Sequence, residues 1–146
     1  MNKNYVMAKI LLSNLFLLQI SLASIITYDD KQVIILLYEY FKTTKNAPKI
    51  LGHSFHVDGQ DKVFQIEIET DSHLVNDALL FSFSTIYTLA KISKTNFTHS
   101  ILVIHFDNST LPVVAESDLD CSNKFFNIND KTQERWRKNC LTIKNY

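Results

Sequence analysis

DSHLVNDALLFSFSTIYTLAKIS, residues 71–93, is the stretch around which the chain is organised. Asp71 and Ser72 suit a helix N-cap, and apolar residues then recur almost all round a helix. These residues are Leu74, Val75, Ala78, Leu79, Leu80, Phe81, Phe83, Ile86, Tyr87, Leu89, Ala90 and Ile92. A helix that lacks a polar face must be covered on most sides, so we expect the central helix of a single small domain.

A pair of strands is predicted on each side of this helix. Before it, Asp58-Gly59 is a dipeptide that tolerates the tight turn of a hairpin. The return strand alternates, with Phe64, Ile66 and Ile68 on one face and Gln65, Glu67 and Glu69 on the other. After the helix, residues 101–106 are apolar on both faces, which predicts a central strand, and residues 111–115 return from a turn at 107–110. Pro112 lacks a backbone donor, so this last strand should lie at an edge or start late.

Two further helices are expected at the ends of the domain. Residues 29–45 begin with an acidic cap and carry Ile34, Leu37, Tyr38 and Phe41 at helical spacing, although residues 33–37 would also suit a buried strand. Residues 131–141 follow a capping-box arrangement and place Trp136, Cys140 and Ile143 on one face.

The predicted order is helix, hairpin, helix, hairpin, helix. It indicates an α+β fold, with an antiparallel sheet of about four strands and the central helix packed on one face. The whole chain has two glycines and two prolines, and it shows no internal repeat or flexible linker. We therefore expect one domain over residues 24–146, in which a disulfide closes the C-terminal segment.

The N-terminal residues 1–23 resemble a cleaved secretory signal peptide. Lys3 and Lys9 precede an apolar run over residues 10–22, and Ser21 and Ala23 form a small-x-small cleavage site. The run is shorter than the ~20 apolar residues that span a membrane, which favours cleavage over an uncleaved anchor. An exported protein, periplasmic or extracellular, is therefore predicted.

The two cysteines, Cys121 and Cys140, are predicted to pair, because disulfides form in oxidising compartments. The pair would close a loop of about 20 residues, for which the chain-entropy model gives about 3 kcal/mol. The chain carries 15 basic and 15 acidic groups, and loss of Lys3 and Lys9 leaves it slightly acidic. A nearly neutral domain lacks a general attraction to nucleic acid or anionic membrane, so neither is an expected partner.

Histidines and carboxylates supply the only candidate catalytic groups. His105 lies in the most apolar strand, His99 precedes it, and Glu67 and Glu69 share the wet face of another strand. A hydrolase such as a nuclease could pair one of these histidines with one of these glutamates. A buried or solvated structural role is the competing interpretation for each. The sequence contains no phosphate-binding loop, no G-x-S-x-G and no H-E-x-x-H motif, and it indicates no cofactor.

Other motifs offer weaker candidate sites. Arg135, Trp136 and Arg137 combine an aromatic side chain with positive charge, as interaction surfaces do, although a buried indole in a solvated helix end fits equally well. The acidic residues of 116–120 alternate as in a calcium loop, but the glycine and the final glutamate of that loop are missing, so no metal site is predicted. Asn96 and Asn108 begin glycosylation sequons, which matter only in a eukaryotic secretory pathway.

These features predict a small exported, non-enzymatic binding protein, such as an inhibitor, an immunity-type protein or an envelope accessory protein. Its expected partner is another protein. The alternatives are the small secreted hydrolase and a membrane-tethered domain that keeps its N-terminal anchor. The sequence does not predict an oligomeric state.

Overall fold

The computed structural model describes residues 26–107, 111–126 and 133–145. Within them the helices are α1 (Asp30–Thr43), α2 (Val75–Ile92), α3 (Leu119–Asn123) and α4 (Gln133–Cys140). The strands are β1 (Lys49–Asp58), β2 (Asp61–Thr70), β3 (His99–Phe106), β4 (Val113–Asp118) and β5 (Leu141–Asn145). The strands form one five-stranded sheet in the order β1-β2-β3-β4-β5, so the fold is α+β with a mixed sheet.

The helix α1 begins at the acidic cap that the sequence indicated, and in the structure this cap is part of a capping box. The Asp29 carboxylate accepts a hydrogen bond from the backbone N–H of Gln32, and the Gln32 side chain accepts one from the N–H of Asp29. Val33, Leu37 and Phe41 then form a buried stripe at a spacing of four residues. The strand alternative for this segment is therefore wrong.

The helix α2 packs across one face of the sheet and supplies much of the core. A short 3₁₀ turn, Ser72–Leu74, precedes it, and the Asp71 side chain makes no capping hydrogen bond. The core joins residues from all four described helices to one set of strand residues. The strand residues of the core include Phe64, Ile66, Ile68, Leu102, Ile104 and Ala115, and the helix residues include Leu37, Phe83, Ile86, Leu119 and Trp136.

The sheet is not purely antiparallel as predicted, because β2 and β3 pair in parallel. The central helix explains this difference. A helix of 18 residues spans about 27 Å, close to the length of a ten-residue strand, so it returns the chain to the end of the sheet at which β2 began. Consistent with this, β3 starts at His99, which lies opposite Val63 near the start of β2. A neighbouring strand that starts at the same end must run parallel.

The fifth strand was also not predicted. Residues 141–145 pair antiparallel with β4, so α4 ends at Cys140 and Ile143 lies in a strand. As a result β4 is an internal strand, and it begins at Val113, directly after the proline. The prediction that β3 lies centrally is confirmed.

The predicted disulfide between Cys121 and Cys140 is present, with the two Cα atoms 5.7 Å apart. It joins α3 to the last residue of α4, immediately before β5. A disulfide is compatible with an exported protein. Within the part of the chain that the structure describes, no helix is both long and apolar enough to cross a bilayer. The predicted signal peptide, residues 1–23, lies outside the described residues.

Candidate functional site

The sheet has one face covered by helices and one face that the described helices leave uncovered. The residues that alternate with the core residues along β2, β3 and β4 point to this second face. We call it the helix-free face. Its residues include Val63, Gln65, Glu67 and Glu69 of β2, Ile101, Val103 and His105 of β3, Val114 and Glu116 of β4, and Lys49, Thr142 and Lys144 of the outer strands.

An apolar strip occupies the centre of the helix-free face. Val103 lies between Glu67 and Val114 in the sheet register, and Ile101 lies beside it between Gln65 and Glu116. Ile101, Val103 and Val114 are half-buried, although no described helix covers them. Val63 extends the strip and is only 2% exposed, yet it lies outside the main core.

Charged residues surround this strip, and each carboxylate has a basic neighbour. Lys49 Nζ donates to Glu69 Oε1 at 2.9 Å, and Lys144 Nζ donates to Glu116 Oε1 at 2.8 Å. The third pair, His105 and Glu67, is looser, with Nε2 and Oε2 3.5 Å apart. That contact is ionic when His105 is protonated, and its geometry is not that of a hydrogen bond.

A cleft opens beside this face, where β2 ends and α2 begins. It has a volume of about 490 Å³, and its walls include Asn46, Pro48, Lys49, Glu69, Thr70, Asp71, Leu74 and Asp77. The carboxyl group of Asp107, which follows β3, lies near that of Asp71, so the two can form a hydrogen bond when Asp107 is protonated. Ligands often bind near the carboxyl ends of parallel strands, and this cleft lies there.

The hydrogen bond with Asp71 raises the pKa of Asp107 above its ordinary value. Partial desolvation and the negative charges of Asp71 and Glu69 act in the same direction, and the positive charge of Lys49 opposes them. The neighbouring carboxylate therefore favours the protonated form of Asp107. Within the described residues, no group of three or more histidine, cysteine or acidic side chains is arranged to hold a metal ion.

The substitution Asp107→Asn should stabilise the protein relative to the wild type as the pH rises. Since folding raises the pKa of Asp107, the protonated carboxyl favours the folded state below about pH 4. The wild type loses this stabilisation as the pH rises through the raised pKa. The asparagine amide does not titrate, so the variant does not lose stability in this way. Urea unfolding of both proteins at several pH values measures the difference.

Asp77→Asn is the control for this experiment, because Asp77 lines the same cleft but lies in the first turn of α2. Its charge is favourable at a helix N-terminus, so the relative stability of this variant should not increase with pH. A constant difference between Asp107→Asn and the wild type across the range would contradict the raised pKa of Asp107.

Two of the three C-terminal candidates, Trp136 and Arg137, have side-chain contacts within the fold. Trp136 is fully buried, its Nε1 donates to Ser122 Oγ at 3.0 Å, and it is not available to a partner. Arg137 donates from Nη1 to the Asn76 side chain at 2.7 Å and from Nη2 to the Asn76 carbonyl at 3.2 Å. These bonds connect α4 to the start of α2. Arg135 is exposed on α4, and its backbone carbonyl accepts a hydrogen bond from Asn139.

The remaining candidates do not form a site together. His99 lies at the start of β3 and His105 near its end, so the two histidines are far apart along one strand. Asn96 is exposed, whereas Asn108 lies outside the described residues. Among the acidic residues of 116–120, Glu116 bonds to Lys144, and the Asp118 side chain caps α3.

Sequence reasoning did not identify the apolar strip as a surface. The signal was the run 101–104, in which successive residues are apolar on both faces. We interpreted that run as a central strand, which is confirmed, but the described helices cover only one of its two apolar faces. The pairing of Asp71 with Asp107 was also missed, because these residues are 36 positions apart and meet only through the parallel pairing of β2 with β3.

Comparison of the chain with known protein families, with curated proteins and with solved structures finds no significant match to any of them.

Proposed function

We propose that this protein is an exported, non-enzymatic protein that binds another protein through the helix-free face. The observation that carries the proposal is the strip of Ile101, Val103 and Val114, which has charged and polar side chains around it and which no described helix covers. A central apolar area with a polar rim is the usual anatomy of a protein interface.

The parallel pairing of β2 with β3 strengthens this proposal. Parallel strands usually have both faces covered, because the crossover connections place helices against them. Here α2 covers one face of the pair, and the opposite face carries Ile101 and Val103 of β3. A partner that packs on these residues would supply the missing layer and remove their apolar surface from water.

The charges around the strip favour a partner that contacts the apolar centre. Glu69 and Glu116 each bond to a lysine of the same face, so a partner need not neutralise them. Burying unpaired carboxylates would cost free energy. Here the paired carboxylates can stay at the solvent-exposed rim when a partner covers the apolar centre. The chemistry therefore fits a partner with an apolar contact area and few charges at its centre.

Export is the second part of the proposal. The Cys121–Cys140 disulfide is compatible with an oxidising compartment, and residues 1–23 have the composition of a signal peptide. N-terminal sequencing of the mature protein should begin at Ser24. A mature protein that still begins at Met1 would instead support the membrane-tethered alternative.

The hydrolase alternative has less support in the geometry. It requires a histidine near a carboxylate on the floor of a concave site. His105 and Glu67 are close, but they lie on the helix-free face. Neither residue lines the cleft at the end of β2. The face that carries this pair supports binding better than catalysis.

Site-specific photo-crosslinking in cells of the source organism tests the binding surface. A photoreactive residue at Val103 should give an adduct of defined mass with one protein, and the same residue at Ile35 should not. Ile35 is 63% exposed on α1, in the layer of helices on the opposite side of the sheet, so it is a matched apolar control. Equal adducts at both positions, or none at Val103, would contradict the proposed surface.

The substitution Val103→Lys should weaken capture of that partner by roughly tenfold or more, since it places an unpaired charge in the apolar centre. Val103 is half-buried on a face that no described helix covers, so the variant should keep its fold, and circular dichroism and thermal unfolding check this. Ile35→Lys introduces the same charge on α1 and should leave capture unchanged. Equal capture by Val103→Lys and the wild type would exclude this strip from the interface.

A further inference from the structure

The strand β1 forms one edge of the sheet, and it is unusually long for an edge strand. It contains ten residues, and in the described sheet its neighbour is β2. Its outer edge therefore presents backbone N–H and C=O groups that the sheet itself does not pair. Such an edge is a template for pairing with another strand.

This edge has few of the features that normally prevent strand association. The segment from Lys49 to Asp58 contains no proline, and its charged residues are confined to the two ends. Two apolar side chains of β1 are exposed, Leu51 by 42% and Val57 by 69%. The register irregularity between Ile50 and Gly52 is the one protective feature of the described strand.

The charges at the ends of β1 are complementary to those of a second, antiparallel copy. If the irregularity at 51–52 occupies one position, a two-fold axis through Ser54 places Lys49 opposite Asp58 of the other copy. The same axis places Ile50 opposite Val57 and His53 opposite Phe55. Opposed residues then share a face, since Ile50, His53 and Phe55 pair with core residues of β2 and Val57 follows by alternation.

Other registers lose these matches. An axis between two residues would place side chains from opposite faces against each other. An axis through a residue other than Ser54 leaves part of the strand without a partner and moves Lys49 away from Asp58. The register through Ser54 therefore combines the longest overlap with opposite charges at both ends, which stabilises antiparallel strands.

We propose that two copies of this chain associate through β1, antiparallel and about a two-fold axis at Ser54. The dimer has one continuous ten-strand sheet, and the two helix-free faces lie on the same side of it. Lys49 is exposed and bonds to Glu69 of its own chain, and in the dimer it also faces Asp58 of the other copy. This inference does not rest on the proposed function, since it concerns the edge of the sheet.

Sedimentation velocity of the purified protein over a range of concentrations tests the dimer. The wild type should shift from the mass of one chain to that of two as its concentration rises. Asp58→Lys should raise the dissociation constant of the dimer by about tenfold or more, because both ends then oppose two lysines. Lys49→Asp should do the same with two aspartates at each end.

A mixture of the two variants is the decisive sample. Each end of the mixed dimer again opposes a lysine and an aspartate, so the mixture should associate at concentrations at which each variant alone is monomeric. Asp120→Lys makes the same charge change on α3, far from β1 along the chain, and should leave the wild-type dimer unchanged. A wild type that remains monomeric at every concentration, a dimer that both variants leave intact, or a mixture that stays monomeric would overturn the proposal.

Discussion

Replacement of Trp136 by alanine should lower the free energy of unfolding by about 3–5 kcal/mol, the largest effect that we expect from a single substitution. Trp136 is fully buried, and its ring packs against Phe83 of α2 and Phe126, with ring centroids 5.3 and 4.9 Å away. Its removal leaves a cavity between α4 and α2 that their backbones cannot readily close. It also takes the indole donor away from Ser122 Oγ.

The hydrogen bonds around Ser122 explain why the loss includes a polar contribution. The Ser122 hydroxyl donates to the Asp118 carbonyl at 2.9 Å and lies 2.9 Å from Ser117 Oγ. All of these groups lie at the junction of β4 and α3, so the indole links α4 to that junction. When a buried hydroxyl loses one hydrogen-bond partner, the protein loses free energy of unfolding that tighter packing does not restore.

Chemical unfolding followed by circular dichroism measures this effect, because the variant lacks the only tryptophan of the chain. Trp136→Phe is the matched control, since it keeps an aromatic ring in the site and removes only the N–H and part of the volume. Its loss should be clearly smaller than that of Trp136→Ala. Equal losses for the two variants would show that the hydrogen bond, rather than packing, dominates at this position.

Removal of the Cys121–Cys140 disulfide should cost about 3 kcal/mol, mainly through the greater freedom of the unfolded chain. The two cysteines are 19 positions apart, and this loop includes α4 and the buried indole. Cys140 directly precedes β5, so the disulfide also holds the start of that edge strand beside α3. Loss of the crosslink should therefore loosen β5 before it affects β2 and β3.

The double variant Cys121→Ala/Cys140→Ala and the chemically reduced wild type provide two independent measurements. Both should unfold at a lower urea concentration than the oxidised protein. Hydrogen exchange should accelerate first in β5 and least in β2. If the two samples keep the unfolding midpoint of the oxidised protein, the disulfide does not stabilise this fold.

Much of the local structure could be predicted because it depends on neighbours along the chain. The acidic cap at Asp29, the alternation along β2 and the positive φ of Gly59 in the first hairpin are all local features. The 3.6-residue and two-residue periods report which side of an element faces apolar surroundings. The cysteines were paired correctly because the chain contains only these two.

The sequence signals were insufficient where two kinds of structure satisfy the same pattern. Residues 141–145 have too few positions to distinguish the end of a helix from a short edge strand, and pairing with β4 decides for the strand. Likewise, the aromatic and basic residues of α4 suggested a surface, but Trp136 faces the core and Arg137 bonds to Asn76. Composition does not show which way a side chain points.

By itself the sequence determined the α+β class, the central helix, the strand pairs on either side of it and the disulfide partners. These depend on periodicity, on turn chemistry and on the cysteine count, all of which act over short distances or leave a single choice. Only the tertiary structure decided that β2 lies beside β3 in parallel and that β5 and β1 are the two edge strands of the sheet. The reason is that strand order depends on where the crossover helix returns the chain and on which apolar faces then meet. The helix-free face and the free edge of β1, which carry both proposals, follow from that order.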